Sequence, residues 1–241
     1  MKTATAYLEK SASKKELVRT MFDGIANKYD FLNHFLSLGI DKSWRRKAIR
    51  ILEKENPKKI LDVATGTADF AIETLKLKPE LITGIDISER MLAIGKEKIR
   101  NLKSERSIHL ENGDAENISF SENTFDAVTV AFGVRNFENL NSGLKEIHRV
   151  LKPNGMLVIL EFSHPEKFPV KQLFKFYFHN ILPLLGKIIS SDRKAYQYLP
   201  DSVKEFPSGN KFLQILTETG FTDTKFYPLT FGIAAIYTAK K

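Results

Sequence analysis

Apolar residues recur along this chain with two periods, and the switches between them set the order of elements. Near the start, Leu17, Met21, Phe22, Ile25 and Tyr29 fall at helical spacing. They follow Ser13-Lys14-Lys15-Glu16, which has the form of a capping box with Ser13 as N-cap and Glu16 at N3. A second short helix is expected over 31–38, stopped by Gly39. A third carries Trp44, Ala48, Ile51 and Leu52 along one side and ends before Pro57. The pattern then shortens to strands at 59–63, 81–86, 107–112, 125–132 and 156–162, the last after the turn Lys152-Pro153-Asn154-Gly155. Helices are expected between them at 69–77, 89–102 and 140–151. Residues 165–189 read as a helical segment rich in Phe and Leu. A polar stretch follows, then a helix at 211–219 closed by Gly220. Strands at 223–229 and 232–239 are near enough to pair antiparallel at one edge. Strands alternating with helices imply parallel pairing with right-handed crossovers. The expectation is an α/β fold on a seven-stranded, Rossmann-like sheet whose terminal hairpin departs from the six-stranded dinucleotide fold.

The stretch Ile60-Leu61-Asp62-Val63-Ala64-Thr65-Gly66-Thr67-Ala68-Asp69 carries the first chemical signal. An apolar run ends in a carboxylate, turns through a small-residue loop and opens a helix. Asp86 closes the next apolar run, Leu81-Ile82-Thr83-Gly84-Ile85. In an open α/β sheet this puts a small loop and a ribose-binding carboxylate on one side of a crevice. A dinucleotide fingerprint needs three glycines for close approach to a pyrophosphate. Here Gly66 stands alone among Ala64, Thr65, Thr67 and Ala68, which suits a nucleoside without phosphates, and S-adenosyl-L-methionine is the leading candidate.

Composition narrows the class. The 241 residues fit one large α/β domain, divided into a helical lid over residues 1–56 and a cofactor domain over 57–241 with a helical cap at 165–206. Cysteine is absent, which removes thiol nucleophiles, thiolate metal sites and disulfides and fits a reducing compartment. The first residues are too polar for a signal peptide, and no window reaches the roughly 18 apolar residues of a membrane span. A cytoplasmic protein is expected. The net charge of +8 is compatible with an anionic membrane surface or with scattered solvated lysines. With no ribonucleoprotein motif, zinc-finger spacing or long basic run, nucleic acid is not expected as a partner.

Three stretches resemble the C-methyltransferases of menaquinone and ubiquinone biosynthesis. The most specific is Phe22-Asp23-Gly24-Ile25-Ala26-Asn27-Lys28-Tyr29-Asp30-Phe31-Leu32-Asn33, with Leu36-Ser37-Leu38-Gly39 and Trp44-Arg45-Arg46. Ala131-Phe132-Gly133-Val134-Arg135-Asn136 resembles the family's fourth-strand motif. Arg149-Val150-Leu151-Lys152-Pro153-Asn154-Gly155 resembles a turn that many methyltransferases share. There are departures: Leu32 stands for a usual methionine, Asp41 for a frequent histidine and Asn154 for a glycine. Ala131 stands where some members have a serine that touches the cofactor. The resemblance implies the seven-stranded class I methyltransferase fold with S-adenosylmethionine as cofactor. It implies carbon methylation of a polyprenyl quinol, either demethylmenaquinol or, as the alternative, the benzoquinol of ubiquinone synthesis. A reading from another class, an NAD(P)-dependent oxidoreductase, shares the strand–loop–helix start.

On the cofactor side, Asp62 is expected at the methionine ammonium, Gly66 at the close backbone approach and Asp86 on the ribose hydroxyls. By resemblance, Thr67 contacts the cofactor from the loop, Asp114 holds the adenine amino group with Ala115 beside it, and Ala131 borders the site. Asp126, at the start of a strand, is expected to be structural. On the acceptor side, Arg135 is too basic to take a proton itself but lowers a hydroxyl's pKa by charge or orients a water. By the same resemblance, Asn136 is expected to hold the second quinol oxygen. Candidate bases are Tyr29, Asp30 and His164, the last after the fifth strand and with a side chain suited to neutral pH. Arg45 and Arg46 are candidates for a cofactor carboxylate or a lipid phosphate, with Trp44 in core packing. Residues 168–189 interleave Phe, Ile and Leu with Lys167, Lys171, Lys175 and Lys187. This pattern is expected to cover the quinol ring and touch the membrane surface transiently. By resemblance, residues 196–200 and 202–206 line the same mouth. A homodimer is the candidate assembly, and the sequence does not fix the oligomeric state.

Overall fold

Near-continuous apolar runs dominate the parallel strands because both faces of their sheet are covered. The computed structural model describes residues 13–37, 39–165, 167–176 and 193–241. Among these residues the strands are β1 (Lys59–Val63), β2 (Leu81–Asp86), β3 (Ile108–Asn112), β4 (Phe125–Ala131), β5 (Leu151–Phe162), β6 (Thr222–Leu229) and β7 (Ala234–Lys240). They form one sheet in the order β3-β2-β1-β4-β5-β7-β6. β1 pairs parallel with β2 and β4, and β7 runs antiparallel between β5 and β6. The strand order reverses between β1 and β4, so a crevice opens at their carboxyl ends.

The helices are α1 (Lys14–Leu36), α2 (Ile40–Glu53), α3 (Asp69–Thr74), α4 (Glu89–Asn101), α5 (Leu140–Val150), α6 (Val170–Phe176), α7 (Arg193–Glu205) and α8 (Asn210–Glu218). Alternation along the strands divides the core. Ile60 and Ile82 face Trp44, Ala48 and Leu52 of α2, while Leu61 and Val128 face Leu144 and Ile147 of α5 and Phe212 of α8.

The capping box forms: Ser13 Oγ accepts from Glu16 N at 3.2 Å, and Glu16 Oε2 accepts from Ser13 N at 3.3 Å. Three expectations change. The helix expected at 31–38 is the end of α1, because no breaker precedes Gly39, which adopts φ +74°. β5 begins at Leu151 rather than 156. The Lys152–Gly155 turn loops out as an irregularity between the pairs Phe125–Leu151 and Ala127–Met156, with Asn154 at φ +64°. Part of the polar stretch before α8 is helix α7, although Pro200 lies inside it. Of the helical segment expected at 165–189, α6 is seen and residues 177–189 lie outside the described residues.

Candidate active site

The β1–α3 loop holds three left-handed residues in five: Ala64 at φ +54°, Gly66 at +56° and Ala68 at +66°. Two are alanines, for which that region is unfavourable, so surrounding contacts must hold the loop. Thr65 N donates to Ile85 O at 3.0 Å, and Gly66 N donates to Asp86 Oδ2 at 2.8 Å. Asp62 lies beneath, buried, accepting from Thr65 Oγ1 and Thr129 Oγ1 at 2.6 Å each. Burial pushes its carboxyl up to about 6 against those two hydrogen bonds. Across the crevice, a Cβ on Gly133 would stand 2.6 Å from Ala64 Cβ, so only glycine lets the segment after β4 approach this loop.

Asp86 ends β2 with Oδ1 accepting from Ser88 N and Oδ2 from Gly66 N, both at 2.8 Å. Desolvation raises it to about 6. Asp86 and Asn136 border both a hollow of about 500 Å³ that reaches Asp114 and Ala115 and a smaller one of about 300 Å³ that includes Gly66 and Ala131. The smaller hollow shares Tyr29 and Phe132 with a third, of about 740 Å³. The three form one track along the carboxyl rim of the sheet.

Helix α1 straps this track with polar contacts. Lys15 Nζ pairs with Asp114 Oδ2 at 2.5 Å, and Lys14 Nζ donates to the carbonyls of Arg135 (3.2 Å) and Phe137 (2.6 Å). Asp23 Oδ1 accepts from Ser88 Oγ at 2.6 Å. Further along, Asp30 Oδ1 accepts from Thr67 Oγ1 at 2.5 Å, and Lys98 Nζ bridges Asp30 and Asp69 at 2.6 Å each.

The 740 Å³ cavity has apolar walls, Met21, Phe22 and Ile25 from α1 facing Phe132, Phe162 and Leu199. Arg135 projects from the turn after β4. Its Nη1 pairs with Glu161 Oε1 at 2.8 Å and donates to Phe132 O, Nε donates to Ser202 Oγ at 3.3 Å, and the guanidinium lies 5.6 Å from the Phe162 ring centroid. Glu161 is fully buried and also accepts from the backbone N–H groups of Arg135 and Phe162. Burial raises its carboxyl, and Arg135 opposes that rise. Asn136 Oδ1 accepts from Tyr198 Oη at 3.0 Å. Burial lifts the Tyr198 phenol to about 12 and raises Tyr29, which is hydrogen-bonded to Asn33.

Of the three candidate bases, Tyr29 borders the cavity. Asp30 is drawn into the ion cluster with Lys98 and Thr67, because α1 lays that turn on the β1–α3 loop. Thr67 accordingly turns its hydroxyl to Asp30 and Lys98 rather than to the crevice. His164 is hydrogen-bonded to the backbone at Val203 and Lys204, and desolvation lowers its pKa. Asp126 accepts from Lys58 N and Lys59 N and pairs with Lys152, at the opposite end of the sheet. Glu161 escaped the sequence reading; its one trace is a carboxylate closing the apolar run Met156-Leu157-Val158-Ile159-Leu160. Arg46 lies in a basic surface groove with Lys47, Arg50 and Lys54, while Arg45 enters the cavity wall.

A seven-stranded sheet with a terminal antiparallel strand and an acidic crevice beside a single-glycine loop at its switch point defines the class I S-adenosylmethionine-dependent methyltransferase fold. Solved structures share it at low identity. A Thermotoga maritima protein described as a SAM-dependent methyltransferase, possible histamine N-methyltransferase, superposes with TM-score 0.65 at 19% identity, over 92% of this chain and 99% of the other. Phosphoethanolamine N-methyltransferase 2 of Haemonchus contortus, in complex with S-adenosyl-L-methionine, gives 0.64 at 17%, over 96% and 60%. Within that class, this chain belongs to the ubiE/COQ5 methyltransferase family, which it matches over residues 9–241. The demethylmenaquinone methyltransferase of Bacteroides fragilis is 51% identical over 95% of this chain and 94% of its own length. The ubiquinone/menaquinone biosynthesis C-methyltransferase of Geotalea daltonii is 46% identical over 96% and 99%. The membership sets aside the oxidoreductase reading. Among the described residues, no helix is long and apolar enough to cross a membrane.

Proposed function

We propose that this enzyme methylates a ring carbon of a polyprenyl quinol, converting demethylmenaquinol to menaquinol with S-adenosylmethionine as donor. The observation that carries it is the 740 Å³ apolar cavity with Arg135 and Tyr198 in its wall and Asn136 bonded to Tyr198, continuous with the Asp86 crevice. Its apolar lining with a few convergent polar groups suits a ring and the head of its tail.

The crevice chemistry fits the cofactor. Asp86 retains acceptor capacity for vicinal hydroxyls, Asp114 is an acceptor for an exocyclic amine, and the single-glycine loop makes no phosphate cradle. S-adenosylmethionine supplies, when bound, an electrophilic methyl group. The chain's own residues prepare the acceptor. Ring carbon is a weak nucleophile until the neighbouring hydroxyl, with a pKa near 10, loses its proton. Glu161, Phe132 O and Ser202 fix the Arg135 guanidinium, which holds the hydroxyl oxygen and stabilises its anion. Tyr29 and Tyr198, with raised pKa values, stay protonated, and the Tyr198 hydroxyl orients the Asn136 amide for the second quinol oxygen. The hydroxyl proton passes to a water at Arg135. Once the methyl is on the ring carbon, that carbon loses its own hydrogen as a proton, aromaticity returns and the oxygen takes a proton back. One proton net is released for each methyl gained. α1 serves as the lid that excludes bulk water.

The 51% identical relative named for demethylmenaquinone supports the menaquinone branch, while the one named for ubiquinone/menaquinone biosynthesis fits either quinol. A methyl-transfer assay with both quinols under reducing conditions tests this, and turnover of the benzoquinol alone would overturn it. Transient contact with an anionic membrane is part of the proposal. Phe168, Leu173 and Phe231 are exposed, Lys167 and Lys171 flank the first two, and Gly232 packs against Pro165. Co-flotation with anionic vesicles is expected; none at low salt would remove this contact.

A further inference from the structure

Arg45 reaches the cavity wall with its bonding incomplete. The residue is 7% exposed, Nη1 pairs with Asp41, Nη2 lies 3.6 Å from Asp69 Oδ2, and the guanidinium carbon lies 5.8 Å from the Phe132 ring centroid. Among the described residues, Nε is the one buried side-chain nitrogen or oxygen without a hydrogen-bond partner. Folded proteins rarely leave such a donor unsatisfied, because it carries the full desolvation penalty of a charged group. Arg45 lines the cavity, and a ligand atom that reached Nε from there would satisfy it.

The surroundings specify the ligand. Asp69 opens α3 directly after the β1–α3 loop, so the contact with Asp69 puts Arg45 beside the loop that ends at Ala68. Its charge acts on Asp62 beneath that loop and on Tyr29 above it. A fixed guanidinium next to a buried carboxylate presents one partner for each end of a zwitterion. We propose that Arg45 binds the carboxylate of the cofactor's amino-acid end through Nε, with Asp62 on the side of its ammonium. The quinol oxygens fall to Arg135, Asn136 and Tyr198, which project from the segments after β4 and from α7. Asp41 holds Nη1 and so fixes the guanidinium; it is a positioning residue. The inference rests on S-adenosylmethionine being the cofactor.

The test compares two ligands by calorimetry on the full chain: S-adenosylhomocysteine and S-adenosyl-3-thiopropylamine, which lacks only the carboxylate. The wild type is expected to prefer the first by about tenfold or more, the worth of one charge-assisted hydrogen bond. Arg45→Lys and the charge-balanced pair Asp41→Asn with Arg45→Gln are each expected to bring that preference to within about threefold, while affinity for the decarboxylated ligand changes little. Equal affinities in the wild type overturn the inference without needing a variant, and so does a preference that persists in a folded variant. If the wild type bound neither ligand, the cofactor reading would fall as well, which distinguishes the two failures.

Discussion

Asp86 answers two demands that conflict with pH. In the proposed cofactor site it holds both ribose hydroxyls best when ionised, yet burial raises its carboxyl to about 6, as it does for Asp62. An acid with a raised folded pKa binds its proton more tightly folded than unfolded. The stability these two groups contribute is therefore full below their ordinary value of 3.8 and lost as pH rises through about 6. Affinity runs the other way: that for S-adenosylhomocysteine should fall up to about tenfold per unit as pH drops below 6, measured by calorimetry. Asp86→Ala should abolish binding. Arg135→Ala should leave S-adenosylhomocysteine affinity nearly unchanged while turnover falls by about a hundredfold or more; near-normal turnover would show the acceptor pocket to be misassigned. Glu161→Gln strands a buried guanidinium and is expected to cost about 3–5 kcal/mol in urea unfolding. The motif around Arg135 was legible because it is contiguous in sequence. Glu161 is 26 positions away, and its partner is set by the β4–β5 pairing alone.

Local signals worked where local physics decides. The box at Ser13 and Glu16, the strand ends at Val63 and Asp86 and the break at Gly39 are contests among neighbours, and each formed as its residues dictate. α7 was not legible, because Pro200 removes a backbone donor and argues against helix in isolation, whereas contacts with α1 and the Arg135 turn accompany the helix in the fold. Ser88 shows an element end with two duties: it caps α4 through Met91 N at 3.1 Å and ties down α1 through Asp23. Ser88→Ala is expected to cost about 1 kcal/mol, or roughly 2–4 °C in Tm, from the cap alone. Loss of the Asp23 contact should add faster proteolysis within α1. An unchanged Tm and cleavage rate would show that neither contact matters.

The sheet divides the core into two faces, and the site lies on the rim between them, so packing far from the rim is separable from chemistry. Leu144→Ala, on the α5 face, should destabilise by about 2–5 kcal/mol yet leave kcat intact below the melting transition. A parallel loss of kcat would show that this face shapes the site. The chain's own order of residues determined the alternation of strands and helices, the terminal hairpin and the carboxylates at strand ends, because periodicity and turn chemistry act over a few residues. The tertiary structure alone decided which side chains converge: that Asp30 joins Lys98 instead of the cavity, that Glu161 faces Arg135, and that Arg45 is left with one donor unmet. Those outcomes depend on strand order and on the path of α1 across the rim, and both are fixed by burial summed over the whole core rather than by any local pattern.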